Sequence, residues 1–184
     1  MAGVHEVPGL RLLPAFVDEA EAAGLVAAID AAPWRDDLKR RVQHYGYRYA
    51  YAARRIDVSM ALGPLPAWVL AIAARVEGVG FAAAPDQVIV NEYLPGQGIS
   101  GHIDCLPCFG PTIASLSLLA GTTMTFTGPG AAKVDVWLPA RSLVVLSGPA
   151  RTTWKHAIAG RRGDPGHGPR GRRLSLTFRT VIRA

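Results

Sequence analysis

Cysteine is nearly absent from this chain: its 184 residues hold two, Cys105 and Cys108. A pair three residues apart cannot build the disulfide framework of a small secreted domain. It also lacks the second pair that a structural zinc site needs. Long apolar runs are missing too, because Gly, Pro, Arg and Asp break every candidate well short of the roughly eighteen residues of a membrane span. The opening "MAGVHEVPGLRLLPAF" has no basic start followed by an unbroken apolar stretch, so no signal peptide is expected. These absences argue against a membrane protein and a disulfide scaffold, and make a cytoplasmic location the expectation. Acids are the scarcer charge: 14 Asp and Glu against 20 Lys and Arg give a formal charge of +6, with a pI near 9.8. Such a surface attracts polyanions such as nucleic acid, or an anionic cosubstrate.

What is present suits one domain, 1–184, with 49% hydrophobic residues and no internal repeat. The first part reads as helix and loop. "FVDEAEAAGLVAAIDAAPW" has Asp18 as cap, acids in its first turn, helical apolar spacing and a stop at Pro33. "LPAWVLAIAARVEG" predicts a second helix, opened by Pro66 and closed near Gly78. Between them, residues 39–55 alternate Tyr45, Tyr47, Tyr49 and Tyr51 at period two, which predicts an extended ribbon with one aromatic face. From residue 86 the pattern changes to short β runs: "QVIVNEY", "TIASLSLL", "TMTFTG", "AKVDVWL", "SLVVLSG", "TWKHAI" and "RLSLTFRTVI". That is the rhythm of a sandwich, jelly roll or barrel, so the class is mainly β with flanking helices. Residues 160–173 read as a mobile Gly/Pro/Arg loop.

Two metal readings compete in "ISGHIDCLPCFGPTI". On an extended segment His102 and Asp104 point to the same side and can share one ion. A third ligand must come from elsewhere, and His156 in "TWKHAI" is the best of the other histidines. Two histidines and a carboxylate leave three positions open on an octahedral metal, as in non-heme iron oxygenases. On spacing alone, a hydrogen-bonded loop pair explains His102 and Asp104 better. The last strand shifts the balance: Arg173, Ser175, Thr177 and Arg179 share one face, opposite Leu174, Leu176 and Phe178. Two guanidinium groups facing a core need anions, and a dicarboxylate such as 2-oxoglutarate satisfies both. An edge strand with arginines in water is the competing reading. Asn91 and Tyr93 share a face by the same rule and offer an amide and a phenol.

The order N-x-Y, H-x-D, W-x-H and R-x-S-L-T-F-R resembles the AlkB family of Fe(II)- and 2-oxoglutarate-dependent dioxygenases over about residues 8 to 182. The resemblance implies a double-stranded β-helix, or jelly roll, with N-terminal helices and a nucleotide-recognition lid at 39–55. It implies His102, Asp104 and His156 as iron ligands. It implies Asn91, Tyr93, Arg173, Ser175 and Arg179 around 2-oxoglutarate, with Arg173 on the distal carboxylate and Arg179 nearer the metal. The implied reaction uses Fe(II), 2-oxoglutarate and O2 and demethylates alkylated bases in DNA or RNA, releasing formaldehyde, succinate and CO2. The lid resembles that of relatives of the tRNA wobble-uridine hydroxylase, so tRNA is a second possible substrate. Pro111 stands where relatives commonly carry an acid, which bears on the substrate and not on the ligands.

Candidate substrate contacts are Arg41, His44, Tyr45, Tyr47, Tyr49 and Tyr51, with Lys39, Arg40, Arg48, Arg54 and Arg55 available for phosphate. Tyrosines packed beneath the ribbon are the alternative. The basic loop at 160–173 either grips a second strand or is simply solvated. A monomer off the membrane is expected. A dioxygenase of a small molecule or protein, and a non-catalytic binding module, are the other functional classes weighed. The two cysteines become neighbours of the H-x-D, either as inert thiols or as sites of oxidation.

Overall fold

The computed structural model describes residues 3–36, 38–50 and 56–183. In chain order its elements are β1 (Leu10–Leu13), α1 (Glu19–Ala31), β2 (Val42–Tyr45), α2 (Ala67–Glu77), β3 (Gln87–Tyr93), β4 (Ile99–His102), β5 (Ile113–Leu118), β6 (Thr122–Thr127), β7 (Lys133–Leu138), β8 (Leu143–Leu146), α3 (Gly148–Thr152), β9 (Lys155–Ile158), β10 (Gly163–Asp164), β11 (Gly168–Pro169) and β12 (Arg173–Arg179). Six strands form a major sheet in the order β1-β8-β5-β12-β3-β2, and four form a minor sheet in the order β4-β9-β6-β7. The pairings are antiparallel throughout. Two facing antiparallel sheets with this order are a jelly roll, and the strands that the period-two reading picked out from residue 87 onward build most of it.

Alternation on β12 organises the core. Leu174, Leu176 and Phe178 are fully buried on the outer face of the major sheet, against Leu25 and Ile29 of α1 and Val69, Ile72 and Val76 of α2. Each such side chain contributes roughly 2 kcal/mol by leaving water. The helices start where the sequence says. Asp18 and Glu21 form a reciprocal capping box at the start of α1, with the Glu21 N–H donating to Asp18 Oδ1 at 2.8 Å and the Asp18 N–H to Glu21 Oε2 at 3.0 Å. Pro66 precedes the first turn of α2, and Gly78 follows its last. The other face of β12 looks between the sheets, and both faces of the strand are covered, so it is a central strand and not an edge. No helix among the described residues is long and apolar enough to cross a membrane.

Two expectations change. Among the described residues of 39–55, the strand runs over Val42–Tyr45, because Gly46 takes φ 76 and turns the chain; a Cβ there would lie 1.9 Å from the Asp86 carbonyl oxygen. Tyr45 therefore packs apart from Tyr47 and Tyr49, and Tyr51, Arg54 and Arg55 lie outside the described residues. The loop at 160–173, expected to be mobile, has Arg161, Arg170 and Arg172 engaged by carboxylates. It folds as the β10-β11 hairpin around buried Asp164, which accepts from Arg161 Nη2 at 2.8 Å and Arg170 Nε at 2.6 Å. Arg172 reaches back to Glu92 at 2.7 Å, and His167 stacks on Trp137 with ring centroids 3.7 Å apart.

Candidate active site

A cavity of about 570 Å³ lies between the sheets. Asn91 and Tyr93 of β3, and Arg173, Ser175, Thr177 and Arg179 of β12, form one wall. The register sets Arg173 beside Tyr93 and Ser175 beside Asn91, so period-two alternation delivers all four to the same space. His102, Asp104 and His156 close the opposite side, and Lys39, Arg40 and Tyr49 line the cavity as well.

His102 at the end of β4 and His156 on β9 are cross-strand partners, with ring centroids 4.4 Å apart. Asp104 follows two residues on, and one ligand atom from each of the three lies within 4.8 Å of the others. His102 Nδ1 sits 2.8 Å from the Ser100 carbonyl oxygen, a partner that can only accept. The proton therefore belongs on Nδ1, and Nε2 presents a lone pair. Nε2 lies 3.4 Å from Asp104 Oδ1, close enough for both atoms to reach one ion. Burial alone would raise the Asp104 pKa, but the Arg179 charge, with His102 and His156, holds it well below the usual carboxylate range. Burial pulls His156 down to about 4 against the opposing pull of Asp104, which leaves a neutral imidazole at pH 7. Two imidazoles and one carboxylate are the donor set that suits Fe(II) with open positions, so the residues fit the metal.

Arg179 is committed to Asp104: its Nε and Nη2 donate to Oδ2 at 3.1 and 3.0 Å, while Nη1 reaches Gln87 Oε1 at 3.4 Å. Oδ2 is thereby neutralised, and Oδ1 is turned toward His102. Arg173 is different. It is only 3% exposed, donates from Nη2 to Ser117 Oγ at 2.8 Å, and lies 5.5 Å above the Tyr93 ring. Its Nε and Nη1 have no hydrogen-bond partner among the described residues. Burial pushes its pKa down to about 10. A buried guanidinium with orphaned donors in a roomy cavity fits a carboxylate ligand, and 2-oxoglutarate supplies one.

The structure thus brings together His102, Asp104, His156, Asn91, Tyr93, Arg173, Ser175 and Arg179. Among the described residues named as substrate contacts, Tyr49 lines the cavity and rests on Phe109, ring centroids 5.5 Å apart. The others do not reach it. Arg41 is held by Glu92 at 2.7 and 2.9 Å and covers Trp34. The Tyr45 hydroxyl donates to Gln43, and its ring packs edge-on against Trp68. The His44 ring accepts the Tyr49 N–H at 3.2 Å, and Tyr47 packs against the cluster of Cys105, Cys108 and Phe109. Arg40 does come in: its Nε donates to Asn91 Oδ1 at 2.8 Å, fixing the direction of that amide, and it lies 5.6 Å from the Tyr93 ring centroid. Nothing in the sequence separated Arg40 from its basic neighbours, and Ser117 and Arg151 also escaped notice. Of the two readings for Cys105 and Cys108, inert thiols or sites of oxidation, the structure has the oxidised one: the two are joined in a disulfide. A tight turn brings their Cα atoms to 5.2 Å, and both are buried.

Residues 9–179 match the model of the 2OG-Fe(II) oxygenase superfamily. The chain belongs to the 2OG-Fe(II) oxygenase superfamily. Its relatives there include AlkB homologues. It is 37% identical over 203 residues to the "Alkylated DNA repair protein ALKBH8 homolog" of Arabidopsis thaliana, covering 95% of this chain and 59% of that protein. It is 33% identical over 207 residues to the Mus musculus "tRNA (carboxymethyluridine(34)-5-O)-methyltransferase ALKBH8", covering 96% of this chain and 31% of that protein. This oxygenase therefore spans less than two thirds of the length of those curated relatives. "Uncharacterized protein L905" of Acanthamoeba polyphaga mimivirus is 33% identical, with 100% of this chain and 90% of that protein covered. The fold of the oxygenase is shared with "The structure of OsALKBH1", at TM-score 0.66 and 17% identity, covering 94% of this chain and 98% of that one.

Proposed function

We propose that this oxygenase oxidises an alkyl carbon on a nucleobase of DNA or RNA, with oxidative demethylation as the leading reaction. The observation that carries this reading is the composition of the cavity: Lys39, Arg40 and Tyr49 line the space that holds His102, Asp104 and His156. Cations suit the phosphate backbone, and an aromatic ring suits an unstacked base. In this reading His102 Nε2, Asp104 Oδ1 and His156 hold the metal. Arg173 receives the distal carboxylate of 2-oxoglutarate, with Asn91, Tyr93 and Ser175 along its length. Bound there, Fe(II) with 2-oxoglutarate and O2 supplies oxidative decarboxylation to succinate and CO2, coupled to hydroxylation of a C–H bond. The chain's own residues position and protect. Arg179 anchors Oδ2, the Ser100 carbonyl sets the His102 tautomer, and Met124 and Ile158 give the cavity apolar surface away from the polar wall. If the carbon is an N-methyl, the hydroxylated product collapses to formaldehyde and the unmodified base.

A second reading, hydroxylation of a modified tRNA nucleoside, is supported by the mouse and Xenopus tropicalis relatives, whose names describe methylation at carboxymethyluridine 34 of tRNA. Those names belong to proteins of which this chain covers 31% and 26%. The test is to incubate the protein with Fe(II), 2-oxoglutarate and a panel of N-methylated single- and double-stranded DNA and RNA, plus total tRNA. Base products are then read by mass spectrometry. Loss of methyl from an oligonucleotide supports the first reading, and a hydroxylated tRNA nucleoside supports the second. Succinate that no nucleic acid stimulates contradicts both.

A further inference from the structure

Arg151 is 3% exposed and makes no ion pair among the described residues; its partners are four main-chain carbonyl oxygens. Nη1 donates to Asp104 O at 2.9 Å, Nη2 to Cys105 O and Phe109 O at 3.2 Å each, and Nε to Gly110 O at 3.3 Å. A guanidinium carries five N–H groups in a rigid fork, and four carbonyls converge on it here. All four belong to one segment, 104–110, which begins at Asp104. Arg151 itself sits in the last turn of α3, five residues before His156. One side chain therefore spans the two segments that present Asp104 and His156 to the same point.

A charge this deep is costly unless its hydrogen bonds are met. A loop that needed only to be closed could have used neutral donors, or the Cys105–Cys108 disulfide alone. The disulfide closes the turn internally, but it does not tie that turn to α3. Arg151 does, and its bond to the Asp104 carbonyl acts on the residue whose Oδ1 must meet His102 Nε2. We propose that Arg151 is a positioning residue for the metal site, which holds the Asp104 main chain in register with β9 so that the carboxylate reaches the ion. Arg179 fixes the same residue from its side-chain end, so the carboxylate is held from both ends.

The inference rests on reading His102, Asp104 and His156 as metal ligands, and its test separates the two. Anaerobic Mn(II) binding is first measured for the wild-type protein and Asp104→Ala. If the wild type does not bind, or if Asp104→Ala binds as well as the wild type, the ligand reading itself fails. Given normal binding, Arg151→Met is expected to weaken Mn(II) affinity about ten- to a hundredfold, the range of lost support to a metal ligand. Its Co(II) adduct should show an altered absorption spectrum. Val69→Ala, a core truncation under α2, serves as the control for lowered stability. Equal losses of metal affinity at equal losses of Tm would overturn the proposal, because Arg151 would then matter only to folding. If Arg151→Met does not fold, Arg151→Lys decides. It keeps the charge but offers donors from a single nitrogen to four separated carbonyls, so about a tenfold loss of affinity supports the proposal. Wild-type affinity with a wild-type Co(II) spectrum in Arg151→Lys contradicts it.

Discussion

Replacing Arg173 by methionine should separate the cost of a buried charge from its use. Arg173 is held by one hydrogen bond, to Ser117 Oγ, with Nε and Nη1 unpartnered among the described residues. Burial takes its pKa down to about 10. At about 1.4 kcal/mol for each pH unit, that burial weighs on the order of 3 kcal/mol against the folded chain. The sign follows from the direction: a cation with a depressed pKa destabilises the fold at every pH below about 10, and the cost is relieved only as pH rises through that value. Methionine fills similar space without charge, and such exchanges of buried ions for hydrophobes are often stabilising. Without 2-oxoglutarate, Arg173→Met should therefore melt higher than the wild type, by up to about 6–12 °C for a chain of this size. With Mn(II) and excess 2-oxoglutarate, the wild type should gain stability by linkage and Arg173→Met should gain little. Scanning calorimetry with and without 2-oxoglutarate gives both numbers. A variant that melts no higher than the wild type and is still stabilised equally by 2-oxoglutarate would refute the reasoning.

Other perturbations give expected outcomes of their own. Opening the Cys105–Cys108 bridge by Cys105→Ser and Cys108→Ser releases a four-residue loop, worth about 2 kcal/mol of chain entropy, or about 4–8 °C in Tm; an unchanged melting temperature would show that Arg151 alone holds the turn. Asp164→Asn should loosen the hairpin of β10 and β11 and cost about 3 kcal/mol, read by chemical denaturation at neutral pH. Burial opposes the Asp164 charge, but hydrogen bonds from Arg170, Arg161 and Thr123 outweigh it and hold the pKa far below the ordinary carboxylate value. A depressed carboxylate contributes stability above its unfolded pKa, and this is lost as pH falls through the folded one. The gap between wild type and Asp164→Asn should accordingly persist from pH 7 down to about 4 and shrink only below that. A gap that closes above pH 5 would be the contrary result.

The jelly roll was legible because short β runs punctuated by Gly and Pro follow one another from residue 86, with period-two alternation clearest in β12. "QVIVNEY" and "RLSLTFR" coincide with β3 and β12, and one period-two argument placed Asn91, Tyr93, Arg173 and Arg179 on a common wall. The helices were legible through their ends, Asp18 with Glu21 and Pro66 with Gly78. What escaped notice was short or depended on distant partners. β4 reads Ile-Ser-Gly-His, with a single apolar residue, and α3 is five residues long, too short for a helical period to show. Tyr45, Tyr47 and Tyr49 mimic one ribbon face in the sequence, but the chain turns at Gly46, where φ is positive, and Tyr45 packs on Trp68 while Tyr47 and Tyr49 pack on the cluster of Cys105, Cys108 and Phe109. Arg161, Arg170 and Arg172 read as part of a solvated or gripping basic loop because the carboxylates that engage them, Asp164, Asp30 and Glu92, are matched to them only by the fold. Arg40 and Arg151 are ordinary basic residues until the chain closes around them.

The decisive measurement is the yield of succinate from the wild-type protein and its His102→Ala and Asp104→Ala variants, with Fe(II), 2-oxoglutarate and O2, in the presence and absence of methylated nucleic acid. Succinate should rise with the modified oligonucleotide, be matched by loss of alkyl group or gain of hydroxyl on a base, and disappear in both variants. Succinate formation that survives Asp104→Ala, or that no DNA, RNA or tRNA stimulates, would contradict the assignment of this cavity to oxidation of nucleobases.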